Sequence, residues 1–328
     1  METVVPPKLR PGDLVRVLTP AMSRQVVMEF DHTTIIEARF AGLGLRLSYG
    51  RHVDDRDLFD STSIASRVAD LHEAFADPDV KAISTVIGGF NSNELLPHLD
   101  YALIAANPKI LVGYSDITAL QHAIFARTGL VTYSGPHWSA FGMRDHFEQT
   151  LAWFRDALFD DAPIELRPAT QWTDDAWFAD QDDRTVLPGD GWWELRPGVA
   201  ESRVIGGNLC TLNLLQGTPS MPGLAGSLLF VEDDASSNPH AFARDLTSLL
   251  QVPDAAAIQG LVIGRFQRES GITRAHVEQI VANQPVLAGL PVLANADFGH
   301  TNPMITFPVG GRARLEVSDQ SSLALTMH

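Results

Sequence analysis

Short apolar runs alternate with helix-period stretches in the first half of this sequence, and this alternation restricts the fold more than any other feature. LVRVL (14–18), VKAISTVI (80–87) and KILVGY (109–114) have the composition of buried strands. Between the first two strands, the apolar residues of segment 64–75 recur at the spacing of one helix face. The helical pattern DITALQHAIFARTG directly follows the third strand. Strands that alternate with helices predict an α/β fold with a mostly parallel sheet.

Composition changes after residue 160. Residues 169–195 hold four of the six tryptophans among many aspartates and show no regular period, so we predict a long loop or lid there. Strand-like and helix-like runs return beyond this segment. A chain of 328 residues is long enough to form two domains. We therefore predict an N-terminal α/β domain at 1–165, a linker or lid at 166–195, and a C-terminal domain at 196–328.

The charge balance narrows the range of partners. A formal net charge of −16 opposes binding to nucleic-acid backbones and to anionic membrane surfaces. The N-terminal stretch METVVPPKLRPGD has no apolar core of the kind found in signal peptides, and no apolar run has membrane-spanning length. One cysteine allows no intrachain disulfide, which is typical of a reducing compartment. These features predict a soluble, cytoplasmic protein that binds neither nucleic acid nor membranes.

The segment GYSDIT (113–118) places Ser115 between a buried strand and a helix. A helix N-terminus offers unpaired backbone N–H groups and the positive end of the helix dipole. Such a position both presents a nucleophilic hydroxyl and stabilises an oxyanion. The alternative is that Ser115 only caps its helix, since serine is common at that position. The pattern is not the Gly-x-Ser-x-Gly turn, because Ile117 stands where the second glycine would be.

Three further segments carry candidate chemistry. Gly88 and Gly89 end a strand, where their N–H groups can join an oxyanion hole, or where they form only a flexible turn. Glu232 ends the strand LLFVE and can orient a histidine, whereas Asp233 and Asp234 are expected to be solvated loop residues. His300 is a possible general base, although a loop histidine taken alone is often incidental.

Metal catalysis is the competing chemistry. The 11 histidines include no His-Glu-x-x-His pattern, and there is no cysteine pair with ligand spacing. We therefore predict no metal site and no cofactor.

These segments, in this order, resemble the serine peptidase family that contains the LD-carboxypeptidases of murein recycling and the microcin C immunity peptidases. The matching segments are IGGFNSNELLPHLDY, LVGYSDITALQHAIFARTGLVTYSGP, IGGNL, LLFVED and FGHTNPMITFPVG. The resemblance implies a catalytic triad of Ser115, Glu232 and His300. It also implies an oxyanion hole built from the backbone amides of Gly89 and Asp116. The implied fold is a flavodoxin-like N-terminal domain with a smaller, β-rich C-terminal domain, in a protein that is usually a homodimer.

Within the family, GGFNSN and the insertion TQWTDDAWF resemble the microcin-immunity branch. That branch implies a small peptide or a peptidyl- or aminoacyl-nucleotide conjugate as substrate. Basic residues are expected just after the catalytic glutamate, yet DDASSNPHAFAR has no positive charge before Arg244. The alternatives are a murein LD-carboxypeptidase and a ligand-binding module without turnover. We predict that Trp172 or Trp177 faces the substrate or packs at an interface, and that Asn208 holds the substrate or caps a helix.

Overall fold

A computed structural model describes residues 2–328 and contains two main β-sheets and a two-stranded hairpin. The strands are β1 (Leu14–Leu18), β2 (Arg46–Tyr49), β3 (Val80–Thr85), β4 (Ile110–Gly113), β5 (Thr132–Ser134), β6 (Ile164–Leu166), β7 (Gln171–Trp172), β8 (Leu187–Pro188), β9 (Trp193–Arg196), β10 (Gly198–Asn208), β11 (Ser227–Glu232), β12 (Gly260–Gly264), β13 (Val292–Ala296), β14 (Phe307–Val309), β15 (Arg312–Val317) and β16 (Ser322–Met327). The α-helices are α1 (Arg24–Val27), α2 (Thr33–Gly42), α3 (Ile64–Ala76), α4 (Tyr101–Ala106), α5 (Ile117–Thr128), α6 (Glu148–Phe159), α7 (Leu209–Asn213), α8 (Pro239–Leu250) and α9 (Arg274–Ala282).

The first sheet has the strand order β14-β5-β4-β3-β1-β2. Its strands β1 to β5 pair in parallel, in the order 2-1-3-4-5 that is typical of flavodoxin-like domains. All four residues of β4 are buried, because helices cover both faces of a parallel sheet. The prediction of a flavodoxin-like α/β domain is confirmed.

The second sheet has eight strands in the order β6-β16-β15-β10-β11-β12-β13-β9. Its central strands β10 to β13 pair in parallel, and the outer strands pair antiparallel. The C-terminal region is therefore a β-rich α/β unit, as predicted. The carboxyl ends of β11, β12 and β13 meet at one edge, where the chain continues into Asp233, Arg265 and Asp297.

Some strands pair with partners from a distant part of the chain. The strand β14 belongs to the C-terminal part of the chain, yet it pairs antiparallel with β5 of the first sheet. The predicted lid is not wholly irregular, because β7 and β8 form a hairpin and β9 pairs with the edge of the second sheet. These strands carry no strong period-2 pattern because they are short and only partly buried.

The helix α5 joins the two sheets. Nine consecutive residues, from Ile117 to Phe125, are buried, which is typical of a helix packed on all sides. Leu120 of this helix shares one apolar cluster with Ile205 of β10 and Leu209 of α7. Two hydrogen bonds also connect α5 to β10. The Thr118 hydroxyl accepts from the Asn208 N–H at 3.0 Å, and His122 Nε2 accepts from the Gly206 N–H at 3.1 Å. The start of α5 is thereby held against the end of β10.

Candidate active site

The turn between β4 and α5 presents the Ser115 hydroxyl. Ser115 has a φ of +59°, a left-handed conformation that costs a non-glycine residue roughly 1–2 kcal/mol. The residue at the N-cap of α5 is Asp116, so Ser115 is not the helix cap that one interpretation of the sequence predicted. Within residues 2–328 the Ser115 side chain makes no hydrogen bond, so its hydroxyl is available to a substrate.

The Gly88–Gly89 turn lies directly against Ser115. A Cβ atom placed on Gly88 would lie 3.1 Å from Ser115 Oγ and 3.4 Å from the backbone nitrogen of Asp116. Only a residue without a side chain allows this approach. In the part of the chain that the structure describes, neither the Gly89 nor the Asp116 N–H group donates to another protein group. Two unpaired donors near the serine turn are available for the oxyanion hole that the resemblance implies.

Glu232 and His300 form a buried pair. Glu232, the last residue of β11, is 3% exposed, and its Oε2 accepts from His300 Nδ1 at 2.8 Å. This bond leaves Nε2 as the free nitrogen of the imidazole. Burial acts to lower the pKa of His300, but the charge and hydrogen bond of Glu232 outweigh it, with smaller contributions from Asp234 and Asp233. The net effect raises the pKa of His300 above its ordinary value.

The His300 ring lies next to the serine turn, and its centroid is 5.0 Å from that of the Tyr114 ring. Tyr114 directly precedes Ser115, and α5 is bound to β10 through Thr118 and His122. Asn208 at the end of β10 is the register partner of Glu232 on β11. The serine turn and the Glu232–His300 pair therefore meet at the boundary between the two sheets.

Gly299 makes room for the Glu232 carboxylate. Its φ is +105°, and a Cβ atom there would lie 2.7 Å from Glu232 Oε2. We expect Gly299→Ala to displace this carboxylate from His300. Since the resemblance implies that this pair is catalytic, kcat should fall about 100-fold, the effect of a small misplacement in such a group. The measurement is kcat on an accepted amide substrate. Gly289→Ala is the matched control, because Gly289 also has a positive φ (+78°) but has no atom within 4 Å of such a Cβ. Equal losses in both variants would contradict the assigned contact.

Asn208 has the helix-capping role that was one of its two predicted roles. Its Oδ1 accepts from the Thr211 N–H at 3.1 Å, and its Nδ2 donates to Asp233 Oδ1 at 3.2 Å. The prediction that Asp233 is solvated is wrong, since it is 1% exposed. Its side chain turns inward to accept from Asn208, and burial followed by the charge of Glu232 raises its pKa to about 7. Asp234 is partly exposed.

A cavity of about 380 Å³ opens beside these residues. Tyr114 and His300 form part of its wall, whereas Ser115 itself does not. The wall contains the aromatic side chains Phe30, Trp138, Phe147, Trp177 and Phe178. It contains Asp174 and Asp175 but no lysine or arginine. The cavity is therefore suited to an apolar, aromatic group without negative charge.

The two candidate tryptophans differ in position. Trp177 lines the cavity, and its ring lies 5.7 Å from that of His32. Trp172 is not part of the wall; it lies in β7 beneath the guanidinium of Arg265, 5.0 Å from the ring centroid. Of the predicted substrate contacts, the structure places Trp177, and not Trp172, where a ligand in the cavity would touch it.

Comparison with known proteins identifies the family of this chain. The family model described as the LD-carboxypeptidase N-terminal domain matches residues 15–135, and the one described as the C-terminal domain matches residues 201–315. The protein YocD of Bacillus subtilis is 45% identical over 324 residues, which cover 98% of this chain and 99% of YocD. The chain belongs to the LD-carboxypeptidase family of serine peptidases (peptidase S66).

Solved structures of the family share the whole fold. An MccF-like protein from Bacillus anthracis matches with a TM-score of 0.97 and 44% identity, covering 99% of this chain and 100% of the other. MccF, the microcin C7 self-immunity protein of Escherichia coli, is 32% identical over 303 residues, covering 86% of this chain and 84% of MccF. MccF in complex with glutamyl sulfamoyl guanosine matches with a TM-score of 0.88 and 29% identity, covering 98% of both chains. MccF has also been solved in complex with aspartyl sulfamoyl adenosine.

In this family member, the sequence interpretation missed two histidines of the cavity wall. His137 follows β5, and its ring lies 4.3 Å from that of Tyr114. Burial, together with the charge of His300, lowers the pKa of His137 to about 3, so this imidazole is neutral. The position of His137 in the sequence could have indicated this, because His137 comes just after a strand that ends at the same sheet edge as Ser115. His32, which precedes α2, had no such signal.

Two kinds of feature are absent from residues 2–328. No helix is both long and apolar enough to cross a membrane. No three His, Cys, Asp or Glu side chains are grouped so that they would hold a metal ion.

Proposed function

We propose that this LD-carboxypeptidase family member hydrolyses an amide bond through an acyl-enzyme, with Ser115 as nucleophile, His300 as general base and Glu232 as the group that orients His300. The observation that carries the proposal is the buried Glu232–His300 hydrogen bond of 2.8 Å beside a serine whose hydroxyl is free. A carboxylate that fixes one imidazole nitrogen and leaves the other for proton transfer is the arrangement of serine hydrolases.

The proposed reaction uses the atoms of the site that have no hydrogen-bond partner in the protein. Ser115 Oγ attacks the carbonyl carbon while His300 Nε2 takes the hydroxyl proton, and the resulting oxyanion accepts from the Gly89 and Asp116 N–H groups. The carbon–nitrogen bond then breaks, and His300 gives its proton to the departing amine. A water molecule, deprotonated by His300, attacks the Ser115 ester and releases the acid. The proton returns to Ser115 Oγ, so the enzyme is regenerated.

The cavity favours a conjugate with an aromatic leaving group as substrate. Its wall includes several aromatic side chains and carries no lysine or arginine. A phosphate or a free C-terminal carboxylate in the cavity would lose hydration without gaining a cationic partner, which is costly. A sulfamoyl nucleoside conjugate, such as the MccF ligands, carries its aromatic base without a phosphate. We therefore propose an aminoacyl- or peptidyl-nucleoside conjugate, of the microcin-immunity type, as the substrate class.

A two-substrate comparison tests this assignment. Aspartyl sulfamoyl adenosine and a murein tetrapeptide are each incubated with the enzyme, and the released amine is measured. We expect cleavage of the first with a kcat/KM at least about 10-fold higher, which is the ratio that one well-placed apolar contact provides. Preferential release of D-alanine from the murein tetrapeptide would instead assign the chain to the murein branch.

Trp177→Ala tests the aromatic wall. Stacking of an aromatic side chain on a base is worth roughly 1–3 kcal/mol, so we expect kcat/KM on the adenosine conjugate to fall about 5- to 150-fold. An aliphatic aspartyl peptide amide should be affected much less, because it has no ring to stack. Phe59→Ala is the control, since Phe59 is 82% exposed and lies outside the cavity wall. Equal losses on both substrates together with a lowered Tm would show a purely structural tryptophan.

A further inference from the structure

The cavity wall contains a histidine that the proposed reaction does not use. His137 follows β5, belongs to the wall and is 2% exposed. Its Nε2 is buried and has no hydrogen-bond partner within residues 2–328. An unpaired buried polar atom costs free energy, so most such atoms in native proteins have a partner. A ligand of the cavity is the partner that the position of His137 allows.

Contacts of the other ring nitrogen fix the orientation of the imidazole. His137 Nδ1 lies 2.8 Å from the hydroxyl of Thr85, a residue of β3 that is fully buried. A Cβ atom on Gly113 would lie 3.3 Å from Nδ1 and would collide with the Thr85 hydroxyl, so only glycine makes room for this contact. The imidazole also packs against the Tyr114 ring, with centroids 4.3 Å apart. The protein therefore sets the position of Nε2 before any ligand binds.

The same contacts determine which nitrogen carries the proton. The Thr85 hydroxyl donates to the Val112 carbonyl oxygen at 3.3 Å, so its oxygen accepts from His137 Nδ1–H. A neutral imidazole that is protonated at Nδ1 has a lone pair at Nε2. Burial, together with the charge of His300, lowers the pKa of His137 to about 3, so the ring stays neutral at physiological pH. His137 Nε2 is thus an acceptor that selects an O–H or N–H group.

Two other side chains of the wall have a buried polar atom without a partner in the described part of the chain, namely Trp138 and Thr301. The Trp138 ring lies edge-on to Tyr49, whose hydroxyl is also unpartnered, so these two polar groups are neighbours. The Thr301 hydroxyl can donate or accept and therefore selects no particular ligand group. His137 is the wall residue whose unpartnered atom requires one kind of ligand group.

The place of His137 in the wall indicates which part of a ligand it contacts. Tyr114 is next to both histidines, with its ring centroid 4.3 Å from that of His137 and 5.0 Å from that of His300. In the proposed reaction His300 gives its proton to the departing amine, and the cavity takes the leaving group. His137 is therefore close to the atoms that lie a few bonds beyond the scissile nitrogen. In a nucleoside conjugate those atoms belong to the sugar.

We propose that His137 is a substrate-binding residue whose Nε2 accepts a hydrogen bond from an O–H or N–H donor of the leaving group, with a sugar hydroxyl as the donor that the position favours. This inference rests on the proposed function, which places the leaving group in the cavity. It adds a polar requirement to the aromatic wall: the leaving group must carry a donor as well as a ring.

The experiment measures the binding of sulfamoyl adenosine, the amine that hydrolysis of the conjugate would release, by calorimetry. Two analogues each lack one kind of donor: the 2′,3′-dideoxy sugar analogue and the purine analogue without the amino group. We expect the wild-type Kd to rise about 10-fold for the dideoxy analogue, the order of effect when a buried polar group loses its partner. The Kd of the purine analogue should stay nearly unchanged. A rise confined to the purine analogue would instead identify the amino group of the base as the donor.

Two variants separate this hydrogen bond from the shape of the ring. His137→Asn keeps a polar atom near the position of Nδ1, within reach of Thr85, but has none at the position of Nε2. We expect it to bind sulfamoyl adenosine about 10-fold more weakly and to lose the preference over the dideoxy analogue. His137→Gln places a polar atom near the position of Nε2 and should keep most of the affinity and the preference. Thr306→Val is the matched control, because it removes a buried, unpartnered hydroxyl outside the cavity wall.

Equal wild-type affinity for all three compounds would overturn this inference while leaving the proposed function intact. A His137→Asn variant that loses affinity but keeps the preference would also overturn it, because the loss would then be structural. If the Tm shows that His137→Asn does not fold, the wild-type comparison and His137→Gln decide. No binding of sulfamoyl adenosine by the wild type would contradict the proposed substrate class and this inference with it.

Discussion

Ser115→Ala is expected to lower kcat about 10⁴- to 10⁶-fold, which is the cost of removing the nucleophile of a triad. The physical reason is that Ser115 carries the hydroxyl that forms the acyl-enzyme in the proposed reaction. His300→Ala should have an effect of similar size, because the serine hydroxyl would keep its proton at neutral pH. The measurement is single-turnover hydrolysis of aspartyl sulfamoyl adenosine at saturating enzyme.

The control for this experiment is Ser66→Ala, which removes a hydroxyl in the first turn of α3. Each variant is also treated with a fluorophosphonate probe and analysed by mass spectrometry. Wild type and the control should gain the label on Ser115, and Ser115→Ala should gain none. Near-normal turnover by Ser115→Ala would contradict the mechanism. An unlabelled wild type that binds the conjugate without hydrolysing it would identify a binding module without turnover.

Glu232→Gln is expected to lower kcat by up to about 10⁴-fold, the effect of changing the orienting carboxylate of a triad to an amide. It should also change the pH dependence. In the wild type, burial lowers the pKa of His300, but the charge and hydrogen bond of Glu232 outweigh it and raise the pKa overall. A general base must be neutral, so wild-type activity rises as the pH passes upward through this raised pKa.

Removing the carboxylate leaves burial as the dominant influence, so the pKa of His300 falls in Glu232→Gln. The acidic limb of kcat/KM against pH is therefore expected to move to lower pH in this variant, although its plateau is much lower. Glu269→Gln, on an exposed glutamate, is the control and should keep the wild-type profile. An acidic limb that stays at the same pH would show that Glu232 does not control the charge of His300.

The sequence by itself determined the secondary structure of most long elements. The run LVRVL is β1, and the apolar face of residues 64–75 is α3. Both follow from local chemistry, since side-chain periodicity depends only on neighbours within a few turns. Short strands with little burial, such as β7 and β8, leave no such pattern and were not predicted as strands.

The sequence also determined the family and therefore the candidate residues of the site, because several segments matched together. Taken singly, each of these candidate residues had two possible interpretations. Ser115 fitted a helix cap as well as a nucleophile, and Asn208 fitted a cap as well as a substrate contact. Only backbone geometry separated the first pair: Ser115 is left-handed, and Asp116 occupies the N-cap.

Tertiary structure alone decided which of these residues meet. Glu232 and His300 are 68 positions apart. Their hydrogen bond depends on Gly299 and on the sheet edge at which β11 and β13 both end, with β12 between them. The side chain of Asp233 is buried, and there it accepts a hydrogen bond from Asn208 at the end of the neighbouring strand. Trp177 and Trp172 share one composition-biased segment, yet only Trp177 reached the cavity, since Arg265 binds the other ring. Contacts between distant segments depend on the packing of whole sheets, and no local pattern of residues encodes them.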